Sequence, residues 1–294
     1  MGEVLGARGG GAAGGAVAGG PLRLHVLASG SRGNAAVVED MASGAGVLVD
    51  CGVNGKVFQE RCDQAGFEPL RLRAVMVTHD HSDHTQGLGV VLRGLGRRAK
   101  RLGASPPALE VWALPEVRER CRALAEAAQC AEVRDLALGQ AVAVGEMALT
   151  PFSTSHDAAA SCGFRIDHAS GDAIGYLTDS GCLTPAARAA LRDVRLLALE
   201  SNHDPQMLAC GDYPAFLKAR VGGERGHLSN EQAADALDEL LGPRLEWVVA
   251  MHLSENNNRP SLVERTLQAV LDRRGHGAGL QVAAQHFLVS VPPA

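Results

Sequence analysis

Short apolar runs punctuated by turn residues set the plan of this chain from Leu22 onward. Residues 22–28, 35–39, 46–50 and 74–78 read as strands, each a few β-prone positions bounded by Gly, Asn, Asp or Ser. Segments with helical spacing lie between and after them, at 55–65, 88–102, 115–128, 184–192, 230–241 and 260–274. The second half repeats the scheme, with strands at 141–144, 147–150, 163–167, 173–178, 196–200 and 245–251. A final hairpin is expected near 281–291. Ser229 with Gln232 forms a capping-box pattern, after which Ala233, Leu237, Leu240 and Leu241 mark one apolar face. That puts His227 in the loop just ahead of a helix N-terminus. Strands in both halves with helices outside predict an α/β protein, two sheets face to face and covered by helices: an α/β/β/α sandwich.

Composition adjusts this picture little. With 294 residues, 46% hydrophobic and 21% charged, the chain can bury one substantial core or two halves sharing an interior. A formal charge of −5 removes any global attraction to nucleic acid or anionic membranes but leaves room for a local basic patch. The seven cysteines are odd in number and form no Cys-x-x-Cys pair, so neither a disulfide framework nor a thiolate zinc site is indicated, and a reducing cytoplasm fits best. Residues 1–20 are almost all Gly, Ala and Val and lack the basic start of a signal peptide. The expectation is a disordered leader over 1–21 and a single catalytic domain over 22–294. No run approaches the roughly 18 apolar residues of a membrane span, so no membrane partner is expected.

The chemistry is concentrated in Thr78-His79-Asp80-His81-Ser82-Asp83-His84, where three imidazoles and two carboxylates fall within residues 79–84. Imidazole nitrogen and carboxylate oxygen suit zinc, manganese or iron. In a loop leaving a buried strand, His79 and His81 can converge on one ion while Asp83 and His84 reach a second. Two ions need further ligands, and His156, Asp179 and His252 each follow, or nearly follow, a strand-like run.

This cluster, followed in order by His156, Asp179 and His252, resembles the metallo-β-lactamase fold superfamily. The segments Leu27-Ala28-Ser29-Gly30-Ser31-Arg32-Gly33-Asn34, Leu199-Glu200-Ser201-Asn202-His203-Asp204, Gly226-His227-Leu228-Ser229-Asn230 and His252-Leu253-Ser254-Glu255-Asn256-Asn257 are similar to the YycJ (WalJ) family. Those are bacterial cytoplasmic, metal-dependent nucleases, described in some cases as 5′-to-3′ DNA exonucleases. More distantly the chain resembles RNase Z. The likeness spans about residues 22–290. It implies that His79, His81 and His156 hold a first metal, that Asp83, His84 and His252 hold a second, and that Asp179 bridges them opposite a shared hydroxide. Asp83, His227 and Glu200 form the implied catalytic set. Glu200 and His227 would assist proton transfer to the leaving oxygen, since an imidazole hydrogen-bonded to a carboxylate can hold its proton. Cys51 and Ser180 depart from the usual pattern without touching a ligand position. Only about 20 residues separate Asp179 from Glu200, too few for a β-CASP clamp domain, and no long RNase Z arm is evident.

Weaker signals concern substrate. The Ser29, Ser31 and Asn34 loop offers hydroxyls and backbone N–H groups to a phosphate, or is simply a hairpin turn. Asn256 and Asn257, beside His252, suit a phosphate end, the other reading being turns ahead of the following helix. Arg93, Arg97 and Arg101 fall on one helical stripe with Arg98 and Lys100 nearby; this reads first as a solvated face and secondly as a polyanion track. His25, His168, His276 and His286 read as structural or surface residues, Trp112 and Trp247 as core.

The leading expectation is therefore a binuclear phosphodiesterase acting on nucleic acid, DNA ahead of RNA, with zinc or manganese, or iron, as cofactors. The alternative is a hydrolase of a small thioester, lactone or cyclic phosphodiester. A non-catalytic scaffold is disfavoured by the complete ligand set, and a di-iron electron carrier by His81, where such relatives usually carry Glu.

Overall fold

The structure, a computed structural model, describes residues 20–293, so the expected leader lies outside the described residues except for Gly20 and Pro21. The first half contributes β1 (Leu22–Ala28), β2 (Ala35–Asp40), β3 (Ala45–Val49), α1 (Gly55–Ala65), β4 (Leu72–Met76), α2 (Ser82–Thr85), α3 (Leu88–Arg101), β5 (Glu110–Ala113), α4 (Pro115–Arg120), α5 (Arg122–Ala127) and β6 (Glu132–Asp135). The second half contributes β7 (Val142–Val144), β8 (Met147–Ser153), β9 (Cys162–His168), β10 (Ala173–Leu177), α6 (Pro185–Ala190), β11 (Leu196–Glu200), α7 (Pro205–Cys210), α8 (Ala215–Val221), α9 (Asn230–Leu240), β12 (Trp247–Met251), α10 (Pro260–Arg274), β13 (Gly279–Val282) and β14 (Val289–Val291).

Two seven-stranded sheets result, in the orders β14-β1-β2-β3-β4-β5-β6 and β13-β12-β11-β10-β9-β8-β7. Each begins as an antiparallel meander and becomes parallel, from β3 in the first sheet and from β10 in the second. Parallel neighbours need crossovers, and the helices fill that role on the outer faces. Leu24, Val37, Leu48 and Val75 of one sheet and Leu149, Phe164, Ile166 and Val249 of the other belong to one buried cluster that also takes in Phe58 of α1 and Leu92 of α3. A second cluster packs Ala233 and Leu237 of α9 and Val263 and Leu267 of α10 against Leu197, Leu199 and Val248 on the outer side of the second sheet. The α/β/β/α architecture is thus as expected. Its consequence for function is that β3, β4, β10, β11 and β12 deliver their carboxyl ends to one edge, the usual place for a site in parallel sheets.

Four local expectations are revised. The strand expected at 74–78 pairs as Leu72–Met76, because Val77 and Thr78 turn into the loop and the Thr78 N–H donates to Asp50 Oδ1 at 2.8 Å. The helix expected at 115–128 is divided at Cys121, whose ψ of 105° is extended. The hairpin expected at 281–291 is reduced to one isolated antiparallel bridge, Ala284 with Phe287, because β13 extends the second sheet beside β12 whereas β14 joins β1 in the first. Helices α7 and α8 occupy 205–221, for which no element was expected. Among the described residues no helix is long and apolar enough to cross a membrane.

Candidate metal centre

Every residue expected in the ligand set follows, closely or after a short loop, a strand that ends at the shared edge. Past β4 the chain reaches His79 and His81, and His81 leads into α2, which carries Asp83 and His84. β8 runs toward His156, β10 toward Asp179 and β12 directly into His252, while Glu200 closes β11. Asp50, Asp179 and His252 adopt φ of 57°, 50° and 58°. Such left-handed backbone is uncommon for non-glycine residues, costs of order 1–3 kcal/mol each and clusters at functional sites. Among the described residues, three of the four such positions outside glycine lie here, each just past a strand. The turn between β1 and β2 and the loop that follows β3 are both locked to α2: the Asn34 N–H donates to Asp83 O and the Cys51 N–H to His84 O, both at 2.7 Å. Gly52 makes this fit possible, since a Cβ there would overlap the Asp83 carbonyl.

Potential ligand atoms fall into overlapping groups within 4.8 Å of one another: His79, His81 and His156; Asp83, His84 and His252; His79, His84 and Asp179; and Asp179, Glu200, His227 and His252. Asp179 sits between the first two, its Oδ1 3.6 Å from His156 Nε2 and 3.7 Å from His252 Nε2, and its Oδ2 3.2 Å from His84 Nε2.

The surrounding hydrogen bonds test whether an ion fits. His84 Nδ1 lies 2.7 Å from Asp50 Oδ2, His252 Nδ1 2.9 Å from Glu200 Oε1 and His156 Nδ1 2.9 Å from the Gly226 carbonyl. His79 Nδ1 lies 2.9 Å from Thr78 Oγ1, which itself donates to Asp50. With Nδ1 engaged by acceptors, four rings turn Nε2 toward the cluster, the arrangement that orients metal-binding histidines. Nε2 of His79 and of His252 is buried without any hydrogen-bond partner. A desolvated nitrogen left bare is costly, and a divalent cation would satisfy both. The cluster is able to bind metal.

Without an ion, the charges balance through protons. Burial opposes ionisation of Asp179, but His252, His84 and His79 outweigh it and hold its carboxyl well below the usual carboxylate range. Burial likewise disfavours charge on His84, yet Asp179 and Asp50 lift its pKa well above the ordinary imidazole value. His252 is raised to about 10, the carboxylates of Asp179, Asp83 and Glu200 overcoming its burial. Burial would raise Glu200, but His227 and His252 bring it down to about 2. His79, most affected by burial and next by His84, is lowered well below the ordinary imidazole value.

The cluster opens into a cavity of about 150 Å³ lined by His81, Asp83, Asp179, His227 and His252 among others. His227 is held with Nδ1 2.8 Å from Glu200 Oε1 and 3.6 Å from Asp179 Oδ1. Of the residues expected to meet substrate, Ser31 lines this cavity, and Asn256 reaches its rim by donating to the Tyr213 hydroxyl at 3.1 Å. Ser29, Asn34 and Asn257 are buried and turned inward. Ser29 Oγ accepts from the His252 N–H at 2.7 Å, Asn34 spans the turn at Gly30 and reaches His84, and the Asn257 N–H donates to Ser254 Oγ. They support the ligand loops. Three lining residues had no sequence signal, Tyr213, Arg220 and Val221, all on the 205–221 segment; Arg220 pairs with Asp157, beside His156.

Fold and site together define a metal-binding hydrolase, and the profile of the Beta-lactamase superfamily domain matches residues 46–252. Within that superfamily the chain belongs to the YycJ/WalJ family. It is 30% identical over 258 residues to "Exodeoxyribonuclease YycJ" of Bacillus anthracis, covering 88% of this chain and 92% of that protein. It is 31% identical over 255 residues to "Exodeoxyribonuclease WalJ" of Streptococcus pneumoniae serotype 2, covering 87% and 90%. Among solved structures, the metallo-β-lactamase fold protein YhfI of Bacillus subtilis superposes with a TM-score of 0.66 at 15% identity, covering 92% of this chain and 99% of that one. The short form of human tRNase Z gives 0.62 at 17%, covering 92% and 100%. At such identities these structures speak for the fold alone. The chain is an enzyme, a hydrolase of ester bonds.

Proposed function

We propose that the enzyme is a two-ion phosphodiesterase that cleaves nucleic acid, DNA in preference to RNA, and that residues 22–294 form its one catalytic domain. His79, His81 and His156 would hold one ion and Asp83, His84 and His252 the other, with Asp179 shared between them. Zinc or manganese suits this donor set, and iron is accepted by the same ligands. Divalent ions bound there would supply an acidified water and neutralise charge on the phosphate.

The observation that carries the reading is the Glu200–His227 pair at the cavity. Glu200 takes the Nδ1 side of His227, so the Nε2 side is left to face substrate and to give a proton to the departing sugar oxygen. A poor alkoxide leaving group gains most from such an acid, whereas a thiolate or an activated ester does not need one. Cavity size also supports a polymer: about 150 Å³ admits a reacting phosphate group, below the roughly 300 Å³ at which pockets usually begin to enclose a small ligand. Relatives named exodeoxyribonucleases favour DNA and cutting from an end. Seven unpaired cysteines support a reducing, cytoplasmic setting.

The test is digestion of 5′-phosphorylated single-stranded and duplex DNA and RNA by ion-loaded protein, with Asp179→Ala as control. Release of nucleotides by the wild type alone is expected. Turnover of a small thioester or lactone with every nucleic acid left intact would overturn the reading.

A further inference from the structure

The outer side of the first sheet carries a second, larger set of cavities next to the catalytic one. Ser31 lines the catalytic cavity, and its neighbour Arg32 lines a cavity of about 470 Å³ shared with Arg61, Gln86 and His286. Asn54 and Val90 border that cavity and also the next, a groove of about 480 Å³ between α1 and α3 lined by Lys56, Arg97 and Arg101. The two outer cavities are thus contiguous around the start of α1, and the Ser31–Arg32 step leads from them to the catalytic one.

Their charge is of one sign. No carboxylate lines either outer cavity. The acids that pair with lining residues are Glu255, 2.6 Å from Arg32 and 3.4 Å from His286, Glu60, 3.8 Å from Lys56, and Glu68, 2.8 Å from Arg98. Arg98, by contrast, is tied to Glu68 and is no part of the array. Arg93, Arg97, Lys100 and Arg101 are exposed and form no ion pair among the described residues. Arg93, Arg97 and Arg101 recur every four residues, so they line one side of α3 with a rise of about 6 Å between successive charges. Like charges at this spacing repel each other on an isolated helix. In a protein of net charge −5, such a row, one cavity removed from the catalytic side, makes a local field that attracts a polyanion.

We propose that this basic channel, from Arg32 past Arg61 and Lys56 to Arg97 and Arg101, carries the phosphate backbone of the nucleic-acid strand away from the site of cleavage. The proposal rests on the nuclease reading above. Electrostatic contacts to phosphates are independent of sequence, so the channel would hold the strand without choosing bases. The partly exposed Val90 between the two outer cavities gives a sugar or base an apolar surface to lie against.

The test measures binding of a phosphorothioate-linked single-stranded 20-mer to the ion-loaded enzyme as a function of salt. Arg93→Ala/Arg97→Ala/Arg101→Ala should lower the slope of log K against log[salt] by about 2, at about 0.7 per lost phosphate contact, and weaken binding about 10- to 100-fold near 0.1 M salt. Arg97→Ala alone should give about a third of the slope change. Removing Arg188, Arg192 and Arg273, which change net charge equally on other helices and loops, should leave the slope nearly as in wild type. Hydrolysis of bis(p-nitrophenyl) phosphate, too small to reach α3, should be unchanged in all three variants. If wild type binds the strand and the α3 triple variant keeps its slope, the channel is refuted while the nuclease reading stands. If wild type turns over the small diester but binds no nucleic acid, both fall.

Discussion

Glu200 holds His227 through one carboxylate oxygen, Oε1, at 2.8 Å from Nδ1, and the same oxygen lies 2.9 Å from Nδ1 of His252. Its other oxygen accepts the N–H groups of Ser180 and Leu228, at 2.9 and 3.2 Å, so the carboxylate is fixed by two neighbouring loops. One acid therefore orients both the proposed proton donor and a proposed ligand. This separates the two variants. His227→Ala should keep both ions and slow cleavage by about 10² or more, as loss of a general acid does. Glu200→Gln should slow cleavage similarly and also weaken metal binding about 10- to 100-fold through His252. Elemental analysis beside cleavage rates checks both; loss of metal in His227→Ala would make that residue a ligand.

Gly52 is not itself a proposed ligand, yet its substitution should empty the site. A methyl group there meets the Asp83 carbonyl and the Asn34 N–H, both backbone atoms that cannot swing aside. Gly52→Ala should therefore shift α2 and with it Asp83 and His84, lowering metal content and activity together while the far sheet remains folded. Far-UV circular dichroism close to wild type with under half the bound metal is the expected result.

Metal loading should release protons. In the ion-free chain His252 titrates near 10 and His84 well above its ordinary value, so both imidazoles are charged at neutral pH. A ligand must give up its proton to bind, so affinity should rise with pH across the neutral range. Calorimetric titration of the apoprotein with zinc at pH 7, in two buffers of different ionisation heat, should report net proton release. The sign for folding is opposite. With folded values above the unfolded value near 6.5, these histidines stabilise the apoprotein fully below that pH, and the contribution is lost as pH rises through about 10.

How far the sequence discloses this site depends on how local each signal is. Residues 79–84 are legible because five donors crowd into six positions, and His156, Asp179 and His252 because each sits close to the end of an apolar run, whereas Glu200 and His227 are reached only through the family resemblance. Helix α9 is legible because Ser229 and Gln232 cap it reciprocally. Asp50 is different. Nothing around it marks a partner of His84 just past a strand and 34 residues earlier, and only the parallel pairing of β3 with β4 brings the two together. Tyr213 and Arg220 fail for another reason. Helix α8 buries none of its residues, so no apolar stripe announces it. Strand β14 misleads because pairing between distant segments, not local pattern, decides which sheet a short strand joins.

Asp172 and Arg195 tie the start of the first sheet to the second, and their loss should be felt in stability, not chemistry. Arg195 donates from Nε and Nη2 to the two carboxylate oxygens of Asp172, each at 2.7 Å, and from Nη2 to the Leu22 carbonyl at 2.7 Å. The Leu22 N–H in turn donates to Asp172 Oδ2 at 3.0 Å. Both side chains are largely buried, so removing one partner strands the other charge away from water. Arg195→Met should destabilise by about 3–5 kcal/mol, whereas replacing both with apolar residues should cost less, because a buried pair gains little over well-packed hydrocarbon. Burial would raise the Asp172 pKa, but the bonds from Arg195 and from Leu22 lower it below the usual carboxylate value. A carboxyl depressed on folding stabilises above its unfolded value near 4 and loses that contribution as pH falls through the folded value. Acid unfolding of the wild type should therefore show a component below about pH 4 that the doubly apolar variant lacks, and metal content at pH 7 should be the same in both proteins. Equal acid sensitivity of the two would assign the transition to the histidine and carboxylate cluster instead.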